Sequence, residues 1–427
     1  MDVASPPLVS VLLPVWNAAT TLPAGLRSVQ RQTEPRWQCV LVDDGSDDDS
    51  LACARWFASQ DPRFEVVATP HQGLVPALHT GLAHCRGRFV ARMDADDLMH
   101  RQRLAMQVRV LAEHPHLAAV GCHVRLFPRQ GLPQRRHTYE RWLNSIDTPC
   151  RVRQEAFVEC PIAHPTLMIR CQVLRALGYR DCGWPEDYDL LLRLLAQGYT
   201  VGVVPRRLLS WRDSPQRLSR CSPTYALERF TACKAAFLAA GFLHDTQTYI
   251  LWGYGDTGKA LRRALLAHGK SPSYIVELHP GRLGNRIHNA PVIRPEELIR
   301  APRCRIIVSV AGVQARHAIR HMLTRLAVLS CATLSAQRKR WCCALQLPRQ
   351  FGGVDRPLFC CSQRMPACSA AFSRLSQPVV MPGTKALHAS PSSTALPAGS
   401  CASIATKAWV IFWTNPGSMS LCAVKQQ

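Results

Sequence analysis

"RFVARMDADD", residues 88–97, runs from an apolar segment straight into a tight group of carboxylates. It is either a solvated acidic turn or a strand end that delivers carboxylates to a metal, and its surroundings bear on the choice. From Leu8 onward, short apolar runs alternate with helix-length amphipathic ones: "LVSVLL", Thr20 to Gln32, "WQCVLV", Asp49 to Ser59, "FEVVAT", Gly73 to Cys85, then "RFVARM". That alternation predicts an α/β fold, a mainly parallel sheet with right-handed crossovers and helices on both faces. In such sheets ligands bind beyond the carboxyl ends of the strands. Three of those ends carry "PVWN" (14–17), "DDGSDDDS" (43–50) and "DADD" (94–97). Each alone could be a turn, with Ser46 or Asp48 capping the next helix. Three at successive strand ends mark one edge of the sheet as a site.

Carboxylates on alternating positions at a strand end can hold a hard divalent cation through oxygen while leaving room for phosphate oxygens. If the strand continues through "DADD", Asp94 and Asp96 share a side, and Asp97 points away or opens the next turn. A second acidic cluster lies in "GWPEDYDLLLRLLAQG" (183–198), where Pro185 precedes an amphipathic helix that buries Leu190, Leu191, Leu194 and Leu195. Glu186 and Asp187 fall in its first turn, where the helix dipole also favours acids. Asp189 reads as structural, paired with Arg193 four residues on. Asp187, on a rigid helix start, is placed to act as a general base.

A new pattern begins with "TYILWGYGDTGKALRRALLAHG" (248–269), a strand, a turn with Gly253, Gly255 and Gly258, and a helix. "SYIVEL" follows, with Glu277 placed 19 positions after Gly258. This spacing fits a dinucleotide fingerprint, in which glycines admit a pyrophosphate and the acid binds a ribose hydroxyl. It equally fits a small Rossmann-like module whose glycines serve only the turn. "RIIVSVAG" (305–312) supplies a third strand. Beyond Leu326 the periodicity disappears, although "AWVIFW" (408–413) is unlike a disordered tail. The break suggests an altered reading frame or a fused end. The expected layout is a first domain over 1–235, a linker over 236–247, a small Rossmann-like domain over 248–326 and a low-order tail over 327–427.

The chain has 427 residues, enough for more than one domain, and its 52 Lys and Arg against 29 Asp and Glu give a net charge of +23. Such a surface suits phosphorylated substrates or anionic lipid. No basic motif interleaved with aromatics supports nucleic-acid binding. No basic segment precedes the first apolar run, which Pro14 interrupts, and no stretch approaches ~20 apolar residues, so a cytosolic protein is expected. Of 19 Cys, 11 fall in residues 1–330 and none forms a C-x-x-C pair, so reduced thiols are expected rather than zinc or disulfides.

"VSVLLPVWNAATTLPAGLRSVQRQT", "VLVDDGS", "GRFVARMDADD", "AHPTLMIR" and "WPEDYDLLLRLLAQG" together resemble family 2 nucleotide-sugar glycosyltransferases, which have the GT-A fold, over roughly residues 8–220. The resemblance implies an inverting transfer of a sugar from a nucleoside diphosphate donor to an acceptor hydroxyl of a saccharide or lipid-linked saccharide, in cell-surface polysaccharide or glycolipid synthesis. It places Pro14, Trp16 and Asn17 near the nucleoside, Asp43 and Asp44 on base and ribose, and Asp94 on ribose or diphosphate. It gives Asp96 a Mg2+ or Mn2+ ion and Asp187 the acceptor proton, with Glu186 beside it and His164 on the acceptor side. Family members often carry His after an aromatic–Arg pair late in the domain. Here that position is Ser214, which shifts phosphate contacts toward Arg212, Arg217 or Arg220. Five Arg between 206 and 220 could meet diphosphate or bring the protein to the inner membrane face. The second module resembles small Rossmann-like domains found beside sugar-modifying enzymes. It allows a function of another class, a catalytically silent nucleotide or nucleotide-sugar sensor.

Overall fold

In a computed structural model of the chain, the described residues are 6–323 other than 216, 303, 311 and 313, together with 410–412. The expected low-order tail over 327–427 lies outside them apart from Val410–Phe412.

The first sheet grows from β1 (Val9–Val15), α1 (Leu22–Gln30), β2 (Trp37–Asp44), α2 (Ser50–Gln60), β3 (Phe64–Thr69), α3 (Leu74–His84) and β4 (Phe89–Arg92). It continues through β5 (Leu98–Met99), α4 (Arg103–Glu113), β6 (Leu117–Phe127), α5 (Gln134–Leu143), α6 (Pro149–Glu155), β7 (Met168–Arg170), α7 (Cys171–Leu177), α8 (Glu186–Ala196) and β8 (Thr200–Arg212). The strand order is β3-β2-β1-β4-β7-β6-β8-β5. β1 to β4 run parallel, as does the β6–β8 pair, while β7 and β5 are antiparallel insertions. This is the mainly parallel α/β sheet that the alternation predicts.

Every residue of β2 is buried, because helices cover both faces of the sheet. Val9, Val11 and Leu13 pack against Leu22, Leu26, Phe57 and Leu104 on one side, and Leu12, Val40 and Val42 against Leu78, Leu82 and Leu190 on the other. The register aligns Val15 with Asp43 and Leu12 with Arg92, so the segments after β1, β2 and β4 emerge along one edge. Gly25 in α1 lets the acidic turn close over that edge. A Cβ there would stand 3.2 Å from Ala95 O and 3.3 Å from Asp97 O, tight enough to push the turn outward.

After β8 come the short α9 (Leu218–Cys221) and α10 (Leu227–Phe237). The stretch read as a linker continues α10 into a π-turn over Leu238–Phe242. α10 is buried toward both neighbours: Cys233 and Phe237 meet Tyr188 and Leu192 of α8, and Ala235 meets the core of the second sheet. That sheet contains β9 (Thr248–Trp252), β10 (Ser271–Val276), β11 (Arg286–Ile287), β12 (Ala290–Ile293), β13 (Ile306–Val308) and β14 (Val410–Phe412), with α11 (Asp256–Leu266) after β9. Its order is β11-β12-β10-β9-β13-β14.

Candidate active site

Strand β4 stops at Arg92, so residues 93–97 form a turn and strand alternation does not govern them. Asp97, expected to point away or to open the next turn, joins the others: carboxylate oxygens of Asp94, Asp96 and Asp97 lie within 4.8 Å of one another. Arg92, itself buried, pairs with Asp94 at 2.6 Å and also donates to Met93 O. Behind it, buried Arg103 donates to Arg92 O at 2.9 Å. Asp97 Oδ1 accepts the Arg212 backbone N–H at 2.7 Å, while its Oδ2 is buried without a partner. Burial and the charge of Asp94 push Asp96 up, and burial with both neighbouring acids pushes Asp97 well up. Burial opposes charge on Asp94 too, but Arg92, His164 and Arg217 outweigh it and hold that carboxyl below its ordinary value.

The loops after β1 and β2 are bonded to each other. Ser46 Oγ accepts the Asn17 N–H at 3.0 Å, Asp48 Oδ2 accepts the Ala19 N–H at 2.9 Å, and Asn17 Oδ1 accepts the Asp47 N–H at 3.0 Å. Ser46 and Asp48 therefore tie two loops together, and Asp48 Oδ1 also accepts the N–H of Ser50, the first residue of α2, at 2.9 Å, while the Asp49 side chain makes no cap bond. Asn17 takes a φ of +49°, a region in which asparagine is tolerated. Beyond Pro14 at the end of β1, Trp16 stands 51% exposed and stacks on His71, ring centroids 4.6 Å apart and planes 18° apart. Asp44 takes the Gln72 and Gly73 N–H groups at 2.9 and 2.8 Å and lies 2.9 Å from His71 Nδ1. Its oxygens thus fix the loop under the Trp16–His71 stack. Asp43 keeps a buried Oδ1 without a partner, so of the two acids Asp43 is the one with an acceptor left for a ligand.

Across the cleft, α8 begins at Glu186 after Pro185. Glu186 is 4% exposed; its Oε2 accepts the Tyr225 hydroxyl at 2.6 Å and its Oε1 lies 3.6 Å from His164 Nδ1. Burial opposes its charge, but His164 and Tyr225 outweigh that and hold the carboxyl low. Asp187 has no such partners; its Oδ1 accepts the Tyr188 N–H at 2.6 Å. Burial first, and the charge of Glu186 second, push it up to about 7. Asp187 and His164 share a small recess with Cys160, Ile162, Leu167, Leu191 and Leu194. His164, expected on the acceptor side, lies beside Glu186 and lines the same recess as Asp187, and its Nε2 meets Tyr179 Oη at 3.1 Å. Asp189 is structural as read: Arg193 at 2.6 Å, Arg180 at 2.6 and 3.1 Å and Trp184 at 3.2 Å surround it.

The basic residues at the end of β8 and just after it divide by role. Arg212 holds the acidic turn, through its backbone N–H to Asp97 and its Nε to Asp96 O at 2.8 Å, with its guanidinium over Phe127. Arg220 donates from Nη2 to both oxygens of Asp213 at 2.7 and 2.8 Å. Arg217 lies over the Trp211 ring, and its charge reaches Asp94, Asp96 and Asp97 alike. Sequence reasoning missed Arg92, His71 and Tyr225. The Arg inside an apolar strand was the available signal for the first, since an inner-strand charge requires a buried partner.

In the second sheet, packing accounts for two of the glycines. A Cβ on Gly253, at φ +95°, would meet Ser309 O at 2.7 Å, and one on Gly258 would overlap Gly253 O; Gly255 faces open space. Glu277 Oε2 accepts the Tyr254 N–H at 3.2 Å and Arg282 Nη1 at 2.9 Å, and Oε1 accepts the Leu278 N–H at 3.1 Å. The acid expected on a ribose is engaged by its own module.

Residues 10–178 match the model of the family described as Glycosyl transferase family 2. EpsE of Bacillus subtilis, assigned as a glycosyltransferase, is 30% identical over 240 residues, 54% of this chain and 83% of that protein. The amylovoran biosynthesis glycosyltransferase AmsE of Erwinia amylovora is 31% identical over 249 residues, 57% of this chain and 91% of its own. Among solved structures, S. aureus TarS 1–349 in complex with UDP-GlcNAc is 16% identical, covering 61% of this chain and 72% of that one at a TM-score of 0.45. With family motif, strand-end carboxylates and the Glu186–Asp187 helix start in one chain, the protein belongs to glycosyltransferase family 2 and is a transferase of sugars.

Proposed function

We propose that the protein is an inverting, cation-dependent glycosyltransferase that moves a sugar from a nucleoside diphosphate to an acceptor hydroxyl in cell-surface polysaccharide or glycolipid assembly. The observation that carries this reading is the pairing of two acidic centres on separate elements. One is the three-carboxylate turn after β4; the other is Asp187 at the start of α8. Inversion requires a base on the face opposite the leaving group, so base and leaving-group site must come from different parts of the fold.

The acidic turn fits a hard divalent ion. Its donors are all oxygen, they converge within 4.8 Å, and Asp97 Oδ2 is buried without a partner. Asp96, with Asp94 and Asp97 beside it, would hold Mg2+ or Mn2+, whose charge would offset that on the departing diphosphate. Arg217 adds a guanidinium on the same side. Trp16, backed by His71, offers a ring face to the base, while Pro14, Asn17 and Asp43 border it. Asp187 takes the proton of the acceptor hydroxyl as that oxygen attacks the sugar. Burial, and then the charge of Glu186, which His164 and Tyr225 keep ionised, raise the proton affinity of Asp187 toward neutrality, where a general base works best.

The polysaccharide setting is supported by AmsE, whose name gives amylovoran biosynthesis. No helix among the described residues is long and apolar enough to cross a membrane, and the exposed Arg206 and Arg207 of β8 offer a basic surface for a lipid-linked acceptor. For the glycine-rich turn of the second sheet, the bonds around Glu277 favour a structural role over a dinucleotide site. The test is a donor screen on the full chain, following nucleotide release from UDP-, GDP- and dTDP-sugars with and without Mn2+. Release from one donor class that requires the ion supports the reading; release from none contradicts it.

A further inference from the structure

The segment between β8 and α10 touches both halves of the site. Near its start the charge of Arg217 reaches the three carboxylates, and at its end Tyr225 donates to Glu186. Tyr225 closes a single helical turn, Pro223–Tyr225, that begins with proline and is capped by the Ser222 hydroxyl, which accepts the Thr224 N–H at 3.3 Å. The backbone that carries the phenol is therefore locally fixed.

The bond itself is short, 2.6 Å from Tyr225 Oη to Glu186 Oε2, as expected when a hydroxyl meets an ionised carboxylate. With His164 Nδ1 3.6 Å from the other oxygen, each side of Glu186 has its own neighbour. His164 is held in turn by Tyr179 at 3.1 Å. Burial and the charge of Glu186 push the Tyr225 phenol well above its ordinary value, so it remains a donor throughout the working range. Asp187 accepts the Tyr188 N–H, and burial followed by the charge of Glu186 pushes its carboxyl up.

We propose, on top of the transfer reading above, that Tyr225 is a positioning residue for the general base: its hydroxyl fixes the rotamer of Glu186, and through Glu186 the direction in which α8 presents Asp187 to the acceptor. Tyr225 touches no reacting atom. Without its hydroxyl, a carboxylate that is 4% exposed must turn to find another donor, and its charge moves relative to Asp187. Displacements of that size at a reacting pair are felt in kcat rather than in donor affinity.

The test is steady-state kinetics of the full chain with the donor and acceptor on which it is most active. Tyr225→Phe removes one oxygen and is expected to lower kcat about tenfold while leaving donor KM within about twofold and the unfolding midpoint near wild type. Glu186→Ala with Tyr225→Phe is expected to be no slower than Glu186→Ala alone, because the tyrosine acts only through the glutamate. A further tenfold loss in that background would overturn the proposal, as would a Tyr225→Phe variant with wild-type kcat and a lowered midpoint. A wild-type chain that releases nucleotide from no donor would overturn the transfer reading and this proposal with it, whereas an active wild type matched by Tyr225→Phe overturns this proposal alone.

Discussion

Glu186 and Asp187 are consecutive in α8, yet the fold drives their protons in opposite directions. Glu186 is held low by His164 and the Tyr225 hydroxyl, and Asp187 is pushed up to about 7 by burial and by the charge of Glu186. One acid stays ionised so that the next is basic near neutrality, a division of labour set by environment and not by residue type.

The pH profile should report this pair. Asp187 accepts a proton only as the carboxylate, so activity is full above about 7 and is lost as pH falls through that value. On the acid limb kcat should fall roughly tenfold per pH unit, as for a single ionisation. Glu186→Gln removes the neighbouring negative charge and should move the limb to lower pH. A limb that stays in place in this variant would show that the charge of Glu186 does not set the base.

The acids of the turn after β4 should separate by variant. Asp96→Asn should cost several orders of magnitude in turnover and abolish the response to Mn2+, with little change in unfolding. Asp94→Asn should lose activity and also stability, because Arg92, 4% exposed, loses its carboxylate partner. Stranding a buried charge costs about 3–5 kcal/mol, read from denaturant midpoints. Equal stability of the two variants would argue against the Arg92–Asp94 pair as the anchor of the turn.

Trp16 stands exposed and stacks on His71, so one face of its ring is backed while the residue remains accessible. Trp16→Ala should raise donor KM, and the Kd of the product nucleoside diphosphate, roughly tenfold, the order of one base–aromatic stack. An unchanged nucleotide Kd by calorimetry would remove Trp16 from the donor site.

Asp189 lies two residues from the proposed base but serves the fold. Asp189→Asn should weaken the bonds to Arg180, Arg193 and Trp184 and lower the unfolding midpoint, with the pH limb of the remaining activity unmoved. A shifted limb would place Asp189 in the electrostatics of the base.

Much of this was legible in the sequence, and what was not has physical reasons. Alternating apolar and amphipathic runs located β1 to β4, and β1, β2 and β4 are buried on both faces and so read as nearly continuous apolar runs. The "DADD" and "PEDYD" clusters marked the two acidic centres, and the Asp189–Arg193 pair followed from helical spacing. The convergence of Asp97 was not legible, since it depends on β4 ending at Arg92 and on Arg212 reaching back from β8 across 115 positions of chain. Nor were the Asp44–His71 and Tyr225–Glu186 contacts, because they join segments far apart in sequence by single side-chain bonds that leave no periodic trace. The tie between Asn17 and Ser46 belongs to the same class. Glu277 shows the converse: its spacing matched a ribose-binding acid, and only the geometry revealed Tyr254 and Arg282 as its partners.

The central claim is that Asp187 takes the acceptor proton, and single-turnover nucleotide release by Asp187→Asn tests it most directly. The variant should bind donor with wild-type affinity and turn over at least about 100-fold more slowly at pH 8, the contribution expected of a positioned base. Turnover within a few-fold of wild type, with donor binding intact, would contradict it.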